Sequence, residues 1–94
     1  MNRQIQLPVN FYQEGDLVVA TSPALEITTQ DETFDEAKKN FEELVGIFFE
    51  EYKDINLLEK VLTECGWRKV ENRMQSPVEI ARVYQSIAMP EFAY

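Results

Sequence analysis

The sequence predicts an α+β domain: a small, antiparallel-rich sheet of three to four strands under a long helix, in the order βββα(α)β. Three observations carry this reading. Apolar residues alternate with period two through roughly the first thirty positions, and at Thr33 the spacing switches to that of a helix. The helix so defined carries a broad aromatic face, which needs a sheet beneath it.

The first strand is expected over residues 4–12. Ile5, Leu7, Val9 and Phe11 fall on one side, with Gln4, Gln6, Asn10 and Tyr12 on the other. Pro8 lacks a backbone donor, so this strand has a free edge there or begins near it. Gln13-Glu14-Gly15-Asp16 reads as a turn, with Gly15 able to take a positive φ. Residues 17–21 (Leu-Val-Val-Ala-Thr) have the two-sided apolar character of a central strand. Ser22-Pro23 breaks it. Leu25, Ile27 and Thr29 then alternate with Glu26, Thr28 and Gln30 to give a third strand over 25–30.

Thr33-Phe34-Asp35-Glu36 is a capping box that opens a helix over 33–52. Phe34, Ala37, Phe41, Leu44, Val45, Phe48, Phe49 and Tyr52 form its apolar face, along a rod of about 30 Å. Asp54 caps a second helix over 55–65 bearing Ile55, Leu58, Val61, Leu62 and Cys65, and Gly66 stands where a C′ glycine belongs. Residues 67–71 read as a fourth strand. For residues 76–89 the local signals are balanced. Ser76-Pro77-Val78-Glu79 could cap a helix, whereas the density of β-branched residues and the closing Pro90 favour a strand.

Ninety-four residues support one domain, 1–94, with 72–94 as a C-terminal extension. The composition, 45% apolar and 28% charged, is that of an ordinary globular chain. Nine Lys+Arg against seventeen Asp+Glu give a net charge of −8, which disfavours direct nucleic-acid binding and favours a basic protein partner. The longest charge-free stretch is ten residues, 4–13, about half a membrane span, and no export signal is visible. A single cysteine fits a reducing cytoplasm, the expected location.

Histidine is absent, which removes Ser-His-Asp and Cys-His nucleophile pairs and His-containing zinc sites. Carboxylates are the plentiful reactive groups, yet Asp35/Glu36, Glu42/Glu43 and Glu50/Glu51 are adjacent pairs that point about 100° apart on a helix. Glu36, Glu43 and Glu50 share a face at intervals of roughly 10 Å, too far apart for one metal ion. They read first as a solvated face with Asp35–Lys39 and Lys38–Glu42 pairs, next as an acidic docking stripe, and last as catalysts. Residues 31–54 hold nine acids and three lysines, so most of the charge is local to this helix. Cys65 reads as a structural thiol and Trp67 as a core or interface anchor. No enzyme activity, cofactor or metal is expected.

The run Gly15-Asp16-Leu17-Val18-Val19-Ala20-Thr21-Ser22-Pro23-Ala24-Leu25, then Thr29-Gln30, then Thr33-Phe34-Asp35-Glu36-Ala37, resembles the HicB antitoxin family. The helix continuation through Phe48-Phe49-Glu50 is similar too. The likeness covers about residues 4–52 well and 53–71 loosely. Glu26-Ile27 stand where the family usually has Pro-Gly, and Asp31-Glu32 replace a common Gly. The resemblance implies a degenerate ribonuclease-H-like core without catalytic carboxylates, and strand one indeed contains no acid. It implies a protein that binds and inhibits a small basic HicA-type ribonuclease toxin, for which Asp35, Glu36, Glu43 and Glu50 would supply the acidic surface. A stand-alone protein-interaction or ligand-binding domain of the same fold is the alternative. Related short members have extended tails, which tips 76–89 toward strand. Self-association as a dimer or tetramer is expected through Val83, Tyr84, Ile87, Met89 and Phe92, which find little core to enter.

Overall fold

A computed structural model describes residues 5–91. Three strands, β1 (Asn10–Glu14), β2 (Leu17–Ser22) and β3 (Ile27–Asp31), form an antiparallel meander with β2 in the centre. Helix α1 (Phe34–Glu51) and helix α2 (Ile55–Glu64) follow, and β4 (Arg68–Val70) with β5 (Arg73–Gln75) forms a separate hairpin. The expected α+β architecture, three antiparallel strands and two helices, is present.

The boundaries differ at both ends of the first strand. Residues 5–9 are not strand, and β1 runs from Asn10 to Glu14, so the first strand, expected to be free of acids, ends in an exposed glutamate. Pro8 cannot donate to a ladder, and pairing starts two residues later at Asn10 opposite Thr21. Leu7 and Val9 still point inward, so the alternation survives without the ladder. Gly15, at φ +60°, is the first of two residues joining Glu14 to Leu17, the position at which a II′ hairpin turn takes glycine. The third strand starts at Ile27. Leu25 instead lies buried in the preceding loop, which Glu26 closes at φ +56°.

Both helix starts are capped as the sequence requires. The Thr33 hydroxyl accepts from the Glu36 backbone N–H at 3.1 Å, and the Asp54 carboxylate accepts from that of Asn56 at 2.9 Å. The return half of the first capping box runs through side chains, the Thr33 hydroxyl donating to Glu36 Oε1 at 3.0 Å. Helix α2 ends in a Schellman motif. Gly66 N–H reaches the Thr63 carbonyl and Trp67 N–H the Leu62 carbonyl, each at 3.0 Å, with Gly66 at φ +95°. Leu62 and Trp67, the pair that this motif brings into apolar contact, are both buried.

Among the described residues the core consists of two clusters. Ala20, Ala37 and Phe41 centre the first, between sheet and α1, with Val9, Phe11 and Val18 against them. Leu25, Leu62 and Trp67 centre the second, between the β2–β3 loop, α2 and the hairpin. Ile27 and Val45 pack against both. Beyond the core, Phe34, Leu44 and Ile55, expected on buried helix faces, are exposed.

Two expectations for the C-terminal half are corrected. The fourth strand pairs with β5 and not with β1–β3, so the larger sheet keeps three strands. Residues 76–90 are neither strand nor helix. A short helix is marginal unless its apolar face packs, and Val78, Ile80, Val83, Tyr84 and Ile87 all stand exposed; a strand needs a neighbouring ladder, and none pairs with this segment among the described residues.

Candidate functional site

Periodicity places Glu36, Asn40, Glu43, Ile47 and Glu50 in one ridge of α1, at successive steps of four and three residues, on the side turned away from the sheet. All five are exposed, and Ile47 retains 54% of its accessible surface. Leu44, also exposed, stands beside it. The ridge is thus an apolar centre with carboxylates at both ends. Asp35, expected with the same group, is exposed but turned about 100° from Glu36 and lies off the ridge. Glu36 carries a second task, since its carboxylate accepts the Thr33 hydroxyl hydrogen.

The lysines do not neutralise this ridge. Neither Asp35–Lys39 nor Lys38–Glu42 closes; the ion pairs among the described residues are Glu59–Lys69 at 3.4 Å and Glu79–Arg82 at 2.9 Å. The last turn of α1 has no base, and Glu50 and Glu51 sit against the negative end of the helix dipole. Among the described residues no cluster of three His, Cys, Asp or Glu side chains is arranged to hold a metal ion, and no helix is long and apolar enough to cross a membrane.

A second feature was not foreseen from the sequence. Residues 7–11 and α1 flank an open groove of about 910 Å³, with Leu7, Val9 and Phe11 on one bank and Phe41, Val45 and Phe49 on the other. Gly46 lies along it, and a Cβ there would meet nothing within 4 Å. Most of the lining is apolar and visible as such in the sequence, Gln6, Lys38 and Glu42 being the polar members, but the gap between the two banks is a product of tertiary placement.

The tail residues named for self-association are exposed: Val83, Tyr84, Ile87 and Met89. Phe92 lies outside the described residues. Val78 and Ile80 extend the same exposed apolar run, with Ile80 at 96%. Arg82 tethers this segment, Nη2 donating to Asn10 Oδ1 at 3.0 Å.

Cys65 is half-buried at the end of α2 and packs on the second cluster. Burial pushes its thiol above the ordinary cysteine range, and the Glu26 and Glu64 carboxylates push the same way. A thiol held protonated is a poor nucleophile, in keeping with a structural role. Trp67 is a core anchor, as expected, its Nε1 donating to the Ala24 carbonyl at 2.7 Å.

No family model, curated protein or solved structure matches the chain.

Proposed function

We propose that this chain is a non-catalytic binding protein of the HicB antitoxin type, which captures a small basic ribonuclease and covers its RNA-binding surface. The observation that carries this reading is the α1 ridge: Ile47 exposed between Glu43 and Glu50, with Glu36 further along. Protein interfaces gain affinity from a central apolar anchor and gain association rate and selectivity from a charged rim. An acidic rim selects a basic partner, and a ribonuclease is basic because it must hold phosphate. In this reading the unit from β1 to α1 is the ribonuclease-H-like portion, and the β4–β5 hairpin is a local departure from that plan.

The test is co-expression with the product of any neighbouring open reading frame that encodes a small basic protein. The expected result is a stable complex in which RNA cleavage by the partner is suppressed. Ile47→Asp should dissolve the complex without altering the circular dichroism of the isolated chain. Absence of a basic partner, or a complex indifferent to Ile47→Asp, would remove the ridge from consideration.

The groove beside α1 favours the second reading, a ligand-binding domain. Its volume of about 910 Å³ lies within the range of sites that enclose small molecules, and its lining is mainly apolar.

A further inference from the structure

We infer that the chain forms a two-fold homodimer by arm exchange, residues 83–90 of each copy lying in the groove between residues 7–11 and α1 of the other. The argument begins with an arm that has no place in its own protomer. The radius of gyration is 16.5 Å and the long axis 51 Å, whereas a compact chain of this length would have a radius near 12 Å. Within the arm, Val83, Tyr84, Ile87 and Met89 are exposed and together present on the order of 600 Å², most of the roughly 800 Å² that one partner contributes to a standard interface. A soluble chain rarely leaves so long an apolar run uncovered.

The groove matches the arm in chemistry. Residues 83–90 carry no charge, and the groove walls are mainly apolar, Leu7, Val9 and Phe11 facing Phe41, Val45 and Phe49, with Lys38 and Glu42 contributing one charge of each sign. An uncharged segment also adds nothing to the repulsion between two chains of net charge −8.

Connectivity favours a second copy over the arm's own groove. Phe11 and Val9 face α1, so alternation puts Asn10 on the opposite side of the sheet. Arg82 is fastened to Asn10, and the arm therefore departs from the side on which its own groove does not open. A neighbour related by a two-fold axis offers the same groove without that detour, and the exchange repeats reciprocally, giving a closed assembly. The groove takes Lys38, Glu42 and Val45 from α1 but none of Glu36, Glu43, Ile47 or Glu50, so the dimer leaves the acidic ridge free.

Sedimentation equilibrium of the full chain at high micromolar concentration should give twice the 11.0 kDa chain mass. Tyr84→Asp and Gly46→Phe should each weaken the dimer roughly thirtyfold or more, the loss expected for an interface hot spot. Neither should disturb the protomer, because Tyr84 is exposed and the space beside Gly46 is open. In a Cys65→Ser background, mixing Gly46→Cys chains with Tyr84→Cys chains should yield a mixed disulfide. A monomer at that concentration would overturn the inference. So would a dimer insensitive to Gly46→Phe, or a chain carrying both cysteines that closes the bond within itself. If the wild-type chain is monomeric and binds the apolar dye anilinonaphthalene sulfonate in a manner lost in Gly46→Phe, the groove belongs to a small ligand instead.

Discussion

Trp67 and Ala24 lie forty-three residues apart in sequence and are joined by a buried hydrogen bond of 2.7 Å from the indole N–H to the backbone carbonyl. The bond locks the end of α2 to the β2–β3 loop, and with it the second core cluster to the sheet. Trp67→Phe keeps most of the apolar volume and leaves the Ala24 carbonyl unpaired. It should cost about 1–3 kcal/mol of stability, read from urea unfolding by circular dichroism. A loss no larger than that of an exposed substitution would mean that the carbonyl finds another partner.

The β4–β5 turn holds two left-handed residues, Glu71 at φ +50° and Asn72 at φ +63°, as a type I′ turn demands. Asparagine tolerates that conformation, while glutamate is strained in it by roughly 1–2 kcal/mol. Replacing Glu71-Asn72 by Asn-Gly should therefore raise stability by about 1 kcal/mol, and Tm by about 4–8 °C for a domain of this size. Differential scanning calorimetry is the direct check.

For the ridge, Glu36→Gln with Glu43→Lys and Glu50→Lys is the informative combination. Glutamine at position 36 keeps the capping box, whereas lysine there would break it and confuse folding with binding. Association with the basic partner should slow about tenfold or more at low ionic strength, and the difference should shrink as salt is added. Stopped-flow rates over a salt series decide the matter. Equal rates at all salt concentrations would leave the acids as a solvated face.

Cys65 makes a pH-dependent prediction. Its thiol is raised above the ordinary value of 9.0, first by burial and then by Glu26 and Glu64. The folded chain thus holds this proton more tightly than the unfolded chain. The stability contributed is fully present below pH 9.0 and is lost as pH rises toward and through the folded value. Iodoacetamide should alkylate the folded chain more slowly than the urea-unfolded chain at neutral pH, and the rate should climb only above the ordinary cysteine range. Reaction in the folded state as fast as in the unfolded would contradict the shift.

Caps and glycines were the most legible parts of the fold. Thr33, Asp54, Gly15 and Gly66 each act where local chemistry puts them, because a cap or a positive φ is settled within a few residues. The β5 strand was not legible: Glu71-Asn72 lacks the glycine that usually announces a two-residue hairpin, so residues 72–75 read as the start of an extension. Residues 76–90 defeated local signals for a different reason. Their β-branched residues and capping box favour opposite structures, and only a packing partner can decide between them. Of the candidate site, the acidic residues are visible by spacing, but nothing local separates Ile47 from the apolar residues that the helix buries. Its exposure depends on which arc of α1 the sheet claims.

Among the described residues, Ile27 and Val45 are the side chains that pack against both core clusters. A joint that narrow need not transmit every opening from one half to the other, so the molecule has the makings of two foldons with unequal opening free energies. Amides of β2 and the middle of α1, held around Ala20, Ala37 and Phe41, should exchange with solvent deuterium at the rate of global unfolding. Those of α2 and the β4–β5 hairpin should exchange faster, through an opening that leaves the meander and its helix assembled. Shaving the joint with Val45→Ala should widen that gap in exchange rate, making the chain behave as a rigid half carrying a breathing one.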